Sequence, residues 1–429
     1  MNPKSLTYCC HPVNDLETVK QKVLNWAQQF GTFCFLDNHQ YQIYPHTEEC
    51  LLAAGVKRKI TPGPAGNLDT LQQFIDAKKS WLFGHLSYDL KNEIEGMVSA
   101  HEDHVGFPDF FFFEPEHLVR LQKDKLVVEG QDAETVYAAI MSSEVKKVRR
   151  QPPVSIQQRF TKEEYIAVVS RLKEHILRGD CYEINFCQEF YATDTFLQPV
   201  EVYRQLSAVS PNPFSALYRQ QGHWLICASP ERFLKKTGSR ILSQPIKGTS
   251  KRAPSDPAMD QQHKQQLEQS TKDRSENVMV VDLVRNDLSR ICAEGSVGTE
   301  ELFGIYPFPQ VYQMISTVSG EVKKDVSFTG IIRAAFPMGS MTGAPKKRVM
   351  ELIERYERTK RGIFSGAAGY ISPEGDFDFN VVIRSIMYNE ETGYLSFQAG
   401  SGITWYSEPE KEWEECMWKA SAIKDVLNQ

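Results

Sequence analysis

Short alternating or continuous apolar runs dominate the first third of the chain. FGTFCFLD, SWLFGHLSYD and PDFFFFEP read as strands punctuated by Gly, Asp and Pro. After residue 160 the period lengthens. Thr161 and Glu164 have the spacing of a capping box, and Tyr165, Val168, Val169, Leu172 and Ile176 follow at helical intervals until Gly179. CYEINFCQEFYA then reads as a strand. HWLICASP, ERFLKKTG and RILSQPIKG succeed one another with tight turns, as antiparallel meanders do, and YLSFQAGSGITW is another strand-and-turn unit. Helices are predicted around 260–290, 327–335, 345–357 and 409–425. Strand pairs outnumber βαβ crossovers, so the pattern predicts an α+β fold with antiparallel sheets.

The clearest seam is KKVRRQPPVSIQQRF, residues 146–160, where a basic run meets two prolines. It divides a β-rich region, 1–150, from a larger region, 155–429. A length of 429 residues suggests roughly three domains at about 150 residues each, although one large α/β unit also fits. With 41% apolar residues the chain can bury a sizeable core, which excludes wholesale disorder. The formal charge of -6, without a basic block, argues against nucleic acid as a partner. No apolar run reaches the roughly 20 residues of a membrane helix, and MNPKSLTYCCHPVND lacks a secretory profile. Nine cysteines without C-x-x-C spacing fit free thiols in a reducing compartment. These features predict a soluble cytoplasmic enzyme with no membrane partner.

Four groups of residues could carry chemistry. On the predicted C-terminal helix, with Ser407 as its expected N-cap, Glu412, Glu415 and Lys419 share one face. Carboxylates one turn apart suit a hard cation, or simply a solvated charged face. Glu276 lies near the apolar stripe of ENVMVVDLVRNDL, where a carboxylate needs a metal or an ion pair, for instance with Arg274 or Arg285. In FPMGSMTGAPKKRVMEL a glycine-rich turn precedes a helix whose first turn should contain Pro345, a potential anion site that is not a P-loop. In PIKGTSKR, Lys247 stands at a strand end, where a desolvated lysine can serve as a nucleophile. Glu231 of SPERF has a similar strand context. No histidine follows His263, so chemistry in the C-terminal part must use other groups.

In order, SPERF, PIKGT, ENVMVVDLVRNDL, FPMGSMTGAPKKRVMELI, GIFSGAAGYI, VVIRSI and AGSGITWYSEPEKEWEECMWKA resemble the chorismate-utilising enzymes. That family includes anthranilate, isochorismate, salicylate and aminodeoxychorismate synthases. The resemblance runs from about residue 160 to the C-terminal end, and more loosely through WLFGHLSYDLKNEIEG and PDFFFFEP. It implies a large α/β sandwich with two central antiparallel sheets. Anthranilate synthases carry alanine in PIAGT, whereas PIKGT with Lys247 resembles the aminodeoxychorismate branch, which leads to para-aminobenzoate and folate.

For that branch the resemblance implies a covalent mechanism. Lys247 would attack ring position 2 of chorismate as the position-4 hydroxyl leaves, and ammonia would then displace it by attacking position 4. Glu231 would be the general acid. Glu276 and Glu415 match Mg2+ ligands, with Glu412 acting through water. Tyr370, Arg384 and Lys419 match positions that bind the substrate carboxylates, and the backbone near Thr249, Gly400 and Gly402 would complete an anion cradle.

No glutaminase motif is recognisable, so ammonia is expected from a glutamine amidotransferase partner subunit. Two positions depart from the family pattern. Glu183 stands where glutamine is usual and where isochorismate and salicylate synthases have lysine, and Gln313 stands where histidine is common. Glu183 is expected to contact Lys247 or the incoming ammonia. The rival readings are an anthranilate synthase component, which a lysine on ring position 2 would block, and an inactive chorismate-binding sensor or scaffold.

Overall fold

The computed structural model describes residues 8–42, 49–63, 67–130, 132–145 and 152–428. Residues 146–151 of the expected seam lie outside them. Among the described residues, two antiparallel sheets of twelve and ten strands form the centre of the molecule. The larger sheet runs Tyr8–Pro12, Lys125–Glu129, His117–Leu121, Cys50–Ala54, Thr32–Asp37, Phe214–Gln220, His223–Ser229, Ser385–Asn389, Tyr394–Ile403, Glu183–Ala192, Gly343–Ala344. Gln157–Gln158 also pairs with Glu183–Ala192. The smaller sheet runs from Ile246–Lys251 through Val311–Glu321, Arg240–Gln244, Arg232–Thr237, Phe377–Asn380, Ala367–Ile371, Leu82–Leu86 and Phe110–Glu114 to Arg58–Ile60. Gly298–Pro307 pairs with Val311–Glu321. The fold is the α+β arrangement of antiparallel sheets that the strand pairs predict, in the two-sheet sandwich that the resemblance implies.

Strands from both sides of the seam share both sheets. Thr32–Asp37 pairs with Phe214–Gln220, and Leu82–Leu86 pairs with Ala367–Ile371. Strand alternation explains the continuous apolar runs. Phe33 and Phe35 face a core shared with the helices Leu16–Ala27, Lys162–Leu177, Pro199–Val209 and Pro409–Leu427, while Cys34 faces the core between the sheets. A sheet buried on both faces needs no polar alternation. Phe110–Phe113 are all fully buried or nearly so in this second core, as the apolar burst predicts.

The predicted helices recur with shifted ends. Thr161 and Glu164 make the reciprocal capping box of Lys162–Leu177. The stretch at 260–290 is two helices, Pro257–Gln269 and Thr271–Ser289, broken at Ser270, whose side chain accepts from Asp273 N and caps the second. The C-terminal helix is Pro409–Leu427 with Glu408, not Ser407, at its N-cap. Ser407 is fully buried and instead accepts a hydrogen bond from Thr404 N at 3.1 Å. Pro345 precedes Lys346–Tyr356 as its N-cap, and Lys346 is tied to Asp287 at 2.6 Å. Among the described residues no helix is long and apolar enough to cross a membrane.

The predicted meander differs in two respects, and both shape the cavity between the sheets. His223–Ser229 belongs to the larger sheet and Arg232–Thr237 to the smaller, so the chain changes sheets at Pro230–Glu231. Arg240–Gln244 and Ile246–Lys251 do not pair with each other. They pair in succession with the same strand, Val311–Glu321, and act as one strand interrupted at Pro245. Proline cannot donate to the ladder, which accounts for the break.

Candidate active site

A cavity of about 520 Å3 opens where the chain changes sheets, within the size range of small-molecule sites. Lys247 reaches it because the ladder to Val311–Glu321 slips between Ile246 and Thr249. A bulge of this kind re-aims a side chain. Gly248, with φ of +94°, turns the backbone, and a Cβ there would lie 2.9 Å from Asp273 Cβ. The next residue, Thr249, returns to register opposite Gln313, and both line the cavity.

Lys247 is 8% exposed, and its ammonium donates to Glu183 Oε1. Burial alone would lower its pKa, but Glu183, then Glu276 and Glu231, offset this and raise it. Glu231 at the sheet crossing is pushed up to about 7 by burial, against the Ser340 hydroxyl and Lys247, which favour its anion. It is therefore a carboxyl able to hold a proton near neutral pH.

The carboxylates of two helices meet on another wall. In Thr271–Ser289, Glu276, Val280, Val284 and Leu288 form one buried stripe, which puts Glu276 inside. Burial raises Glu276 to about 8, although Lys247 and Lys272 oppose the shift. Lys272, one helical turn earlier, stands 3.8 Å from Glu276 Oε1 and 3.1 Å from Glu412 Oε1. Arg274 and Arg285 do not pair with Glu276: Arg285 bonds Asp282 and Arg274 bonds the Glu268 carbonyl. Glu415 pairs with Lys419 at 2.6 Å; burial pushes its carboxyl up, but Lys419 and Lys272 leave it below the usual value.

The donors are chemically suited to a hard cation. They are all carboxylate oxygens, and two of them, Glu276 Oε1 and Glu412 Oε2, are buried without a hydrogen-bond partner among the described residues. The Lys272 ammonium already places positive charge between them. Among the described residues, the one group of three His, Cys, Asp or Glu ligand atoms mutually within 4.8 Å is Cys9, His11 and Glu134, at the far edge of the larger sheet. The helix carboxylates, held apart around Lys272, do not close that tightly.

Gly400 and Gly402 line the cavity from Tyr394–Ile403, and Lys419 bonds the Gly400 carbonyl at 3.0 Å. Arg384 lines it with a left-handed backbone, φ of +52°. Its guanidinium lies 5.9 Å from the Trp418 ring centroid, and burial lowers its pKa. Glu183 and Glu412 lie just behind the wall, against Lys247 and Lys272. Tyr370 is the exception. It does not line the cavity but packs on Trp81 and Phe83, 5.4 and 5.9 Å between ring centroids, because its strand pairs with Leu82–Leu86. Lys272 is a cavity residue that sequence reasoning misses, although its i,i+4 spacing to Glu276 is legible. Asn185, Ser340, Gln398 and Trp418 also line the cavity and carry no local signal.

Below the cavity a buried pair holds the Glu183 strand. Arg361 donates twice to Glu357, at 2.6 and 2.9 Å, and once each to the carbonyls of Met341 and Asn185, at 2.7 and 2.9 Å. Glu357 in turn accepts from Cys187 N at 2.9 Å.

Residues 29–425 match a protein family described as chorismate binding enzyme. A protein of Synechocystis named anthranilate synthase component I-like protein is 32% identical over 90% of this chain and 84% of its own length. Aminodeoxychorismate synthase component 1 of Salmonella typhimurium is 33% identical over 80% of this chain and 76% of its own. The crystal structure of anthranilate synthase component I from Streptococcus pneumoniae superposes with a TM-score of 0.76 at 24% identity, covering 90% of this chain and 94% of that one. That likeness establishes the fold.

Proposed function

The chain belongs to the chorismate binding enzyme family and is a chorismate-utilising enzyme, and we propose that it converts chorismate and ammonia to 4-amino-4-deoxychorismate through a covalent bond to Lys247. The observation that carries this reading is the Lys247 ammonium, turned by a strand bulge into the cavity that Glu231 also lines. Relatives named aminodeoxychorismate synthase component 1 support it, and the name implies a second component. A glutamine amidotransferase subunit supplying ammonia is the partner this reading expects.

Chorismate brings two carboxylates and a poor leaving group. Arg384 and Lys419 supply positive charge at the cavity wall, and the Gly400–Gly402 and Thr249 backbones bring polar groups within reach of an anion. Lys247, as the neutral amine, attacks ring position 2 while Glu231 gives its proton to the position-4 hydroxyl, which leaves as water. Ammonia then attacks position 4, the bond to Lys247 breaks, and Glu231 recovers a proton from the new ammonium. Gln313 can donate a hydrogen bond to the departing oxygen but cannot deliver a proton, which leaves that duty with Glu231.

Glu276 and Glu415 would hold Mg2+, with Glu412 acting through water. The ion would supply Lewis-acid stabilisation of the ring carboxylate as charge develops. The relative named for anthranilate synthesis does not change the reading: a lysine bonded to ring position 2 occupies the carbon that an anthranilate synthase must aminate. Mass spectrometry of the enzyme quenched with chorismate and Mg2+, ammonia withheld, tests the proposal. A peptide containing Lys247 is expected to carry the chorismate skeleton less water, and its absence at all quench times contradicts the covalent route.

A further inference from the structure

The lysine mechanism makes opposite demands on one nitrogen. To attack, Lys247 must lose a proton; to leave, its nitrogen must depart from a protonated adduct. We propose that Glu183 is the base that takes the proton from Lys247 before attack and returns it after the ring has gone. This rests on the covalent reading above and adds a catalytic residue to it.

Contact is the first ground. Glu183 Oε1 accepts directly from Lys247 Nζ, and both residues are buried, 1% and 8% exposed. The second carboxylate oxygen, Oε2, is buried with no hydrogen-bond partner among the described residues. In a purely structural ion pair at this depth that oxygen would ordinarily be satisfied too.

The second ground is the way the pair is held. Glu183 pairs with Ala344, and Asn185 two residues on pairs with Gly402, so the backbone that carries the carboxylate is held between two strands. A Cβ on Gly402 would lie 2.6 Å from Glu183 Oε1 and 2.8 Å from Lys247 Nζ. Glycine at this position leaves room for the contact.

The third ground is elimination among the charged groups that face Lys247. Glu276 from Thr271–Ser289, Glu415 from Pro409–Leu427 and Glu231 from the sheet crossing stabilise its ammonium as Glu183 does, with Lys272 and Lys419 behind them, but without contact. Glu276 and Glu415 are assigned to the cation, and Glu231 to the leaving hydroxyl. Of these four carboxylates, Glu183 is the one in contact with the nitrogen, and it has no other assigned duty.

The protons balance. Glu183 carboxylate and Lys247 ammonium become carboxylic acid and amine. The amine displaces the hydroxyl, which leaves as water with the Glu231 proton, and the adduct nitrogen keeps its two hydrogens and positive charge. Ammonia attacks position 4 and the C–N bond to Lys247 breaks, releasing neutral amine. Glu231 takes a proton from the product ammonium, and Glu183 returns its own to Lys247. The net change is chorismate plus ammonia to aminodeoxychorismate plus water.

Because the first transfer occurs inside the pair, it exchanges no proton with solvent. Without the carboxylate, Lys247 must ionise into solvent, and the amine fraction falls with pH. The test measures the rate of adduct formation by quench and mass spectrometry from pH 6 to 8 at saturating Mg2+, for wild type, Glu183→Gln and Glu183→Ala. Either variant suffices. The ratio of wild-type to variant rate cancels ionisations common to both, and is expected to grow as pH falls, by up to about tenfold per unit where the variant's Lys247 is still largely ammonium. A ratio that stays constant with pH overturns the role of Glu183 while leaving the covalent reading intact. No adduct in the wild type overturns the covalent reading itself.

Discussion

Lys272 Nζ lies 3.1 Å from Glu412 Oε1, bridging the first turns of two helices whose carboxylates face one another. The ammonium sits where a divalent cation would have to compete with it. Lys272 thus stabilises the metal-free protein, and a Mg2+ ion held by these carboxylates would have to displace or accommodate it. Lys272→Met is expected to lower the melting temperature without Mg2+ and to enlarge the rise on adding it. Saturation at 100 times Kd corresponds to about 2.7 kcal/mol. Thermal melts with and without MgCl2 measure both, and an equal rise in the two proteins contradicts the assignment of these carboxylates.

Glu231 sets a pH limit. Its carboxyl is raised from 4.5 to about 7, so the acid form proposed to protonate the hydroxyl would be lost as pH climbs through that value. Turnover at saturating Mg2+ should fall above about pH 7, and Glu231→Gln should cost on the order of 10²- to 10⁴-fold in kcat. The stability sign is the same. A carboxyl whose folded pKa is raised favours the fold at low pH and opposes it once ionised. Glu231→Gln should therefore be the more stable protein at pH 8 and lose that advantage by pH 4, as urea unfolding at the two pH values will read.

Two neighbouring glycines should fail differently. A Cβ at Gly400 would meet the Phe186 carbonyl oxygen at 1.9 Å, a backbone atom that cannot step aside. Gly400→Ala should destabilise the fold by at least about 1–3 kcal/mol. At Gly402 the clashing atoms are the ends of Glu183 and Lys247, which can move. Gly402→Ala should cost less stability than Gly400→Ala yet lose about a hundredfold in kcat, because on the proposed mechanism the attacking Lys247 nitrogen is displaced. Equal losses of stability in both would contradict this division.

The support beneath the site should be costly to break. Removing charge from Glu357 leaves the buried Arg361 guanidinium without its anion, so Glu357→Gln should cost about 3–5 kcal/mol in chemical denaturation. A loss below about 1 kcal/mol, the value of a surface pair, would contradict it.

Local period makes most elements readable from sequence: the capping box at Thr161, the Glu183 strand and the C-terminal helix face all depend on neighbours within one or two turns. The aim of Lys247 is not readable, because its bulge exists only against Val311–Glu321 and distance along the chain hides that partner. The same cause hides the place of Tyr370, whose motif marks a strand but not the surface it faces. The contact of Glu183 with Lys247 is expected from one residue that departs from the family pattern and one that follows it, and the structure joins them.

The central claim is amination at ring position 4 through Lys247, and product identity tests it most directly. Purified wild type and Lys247→Ala should be incubated with chorismate, ammonium and Mg2+, and the products separated by chromatography. The predicted result is 4-amino-4-deoxychorismate from the wild type and none from Lys247→Ala; anthranilate as the main product would contradict it.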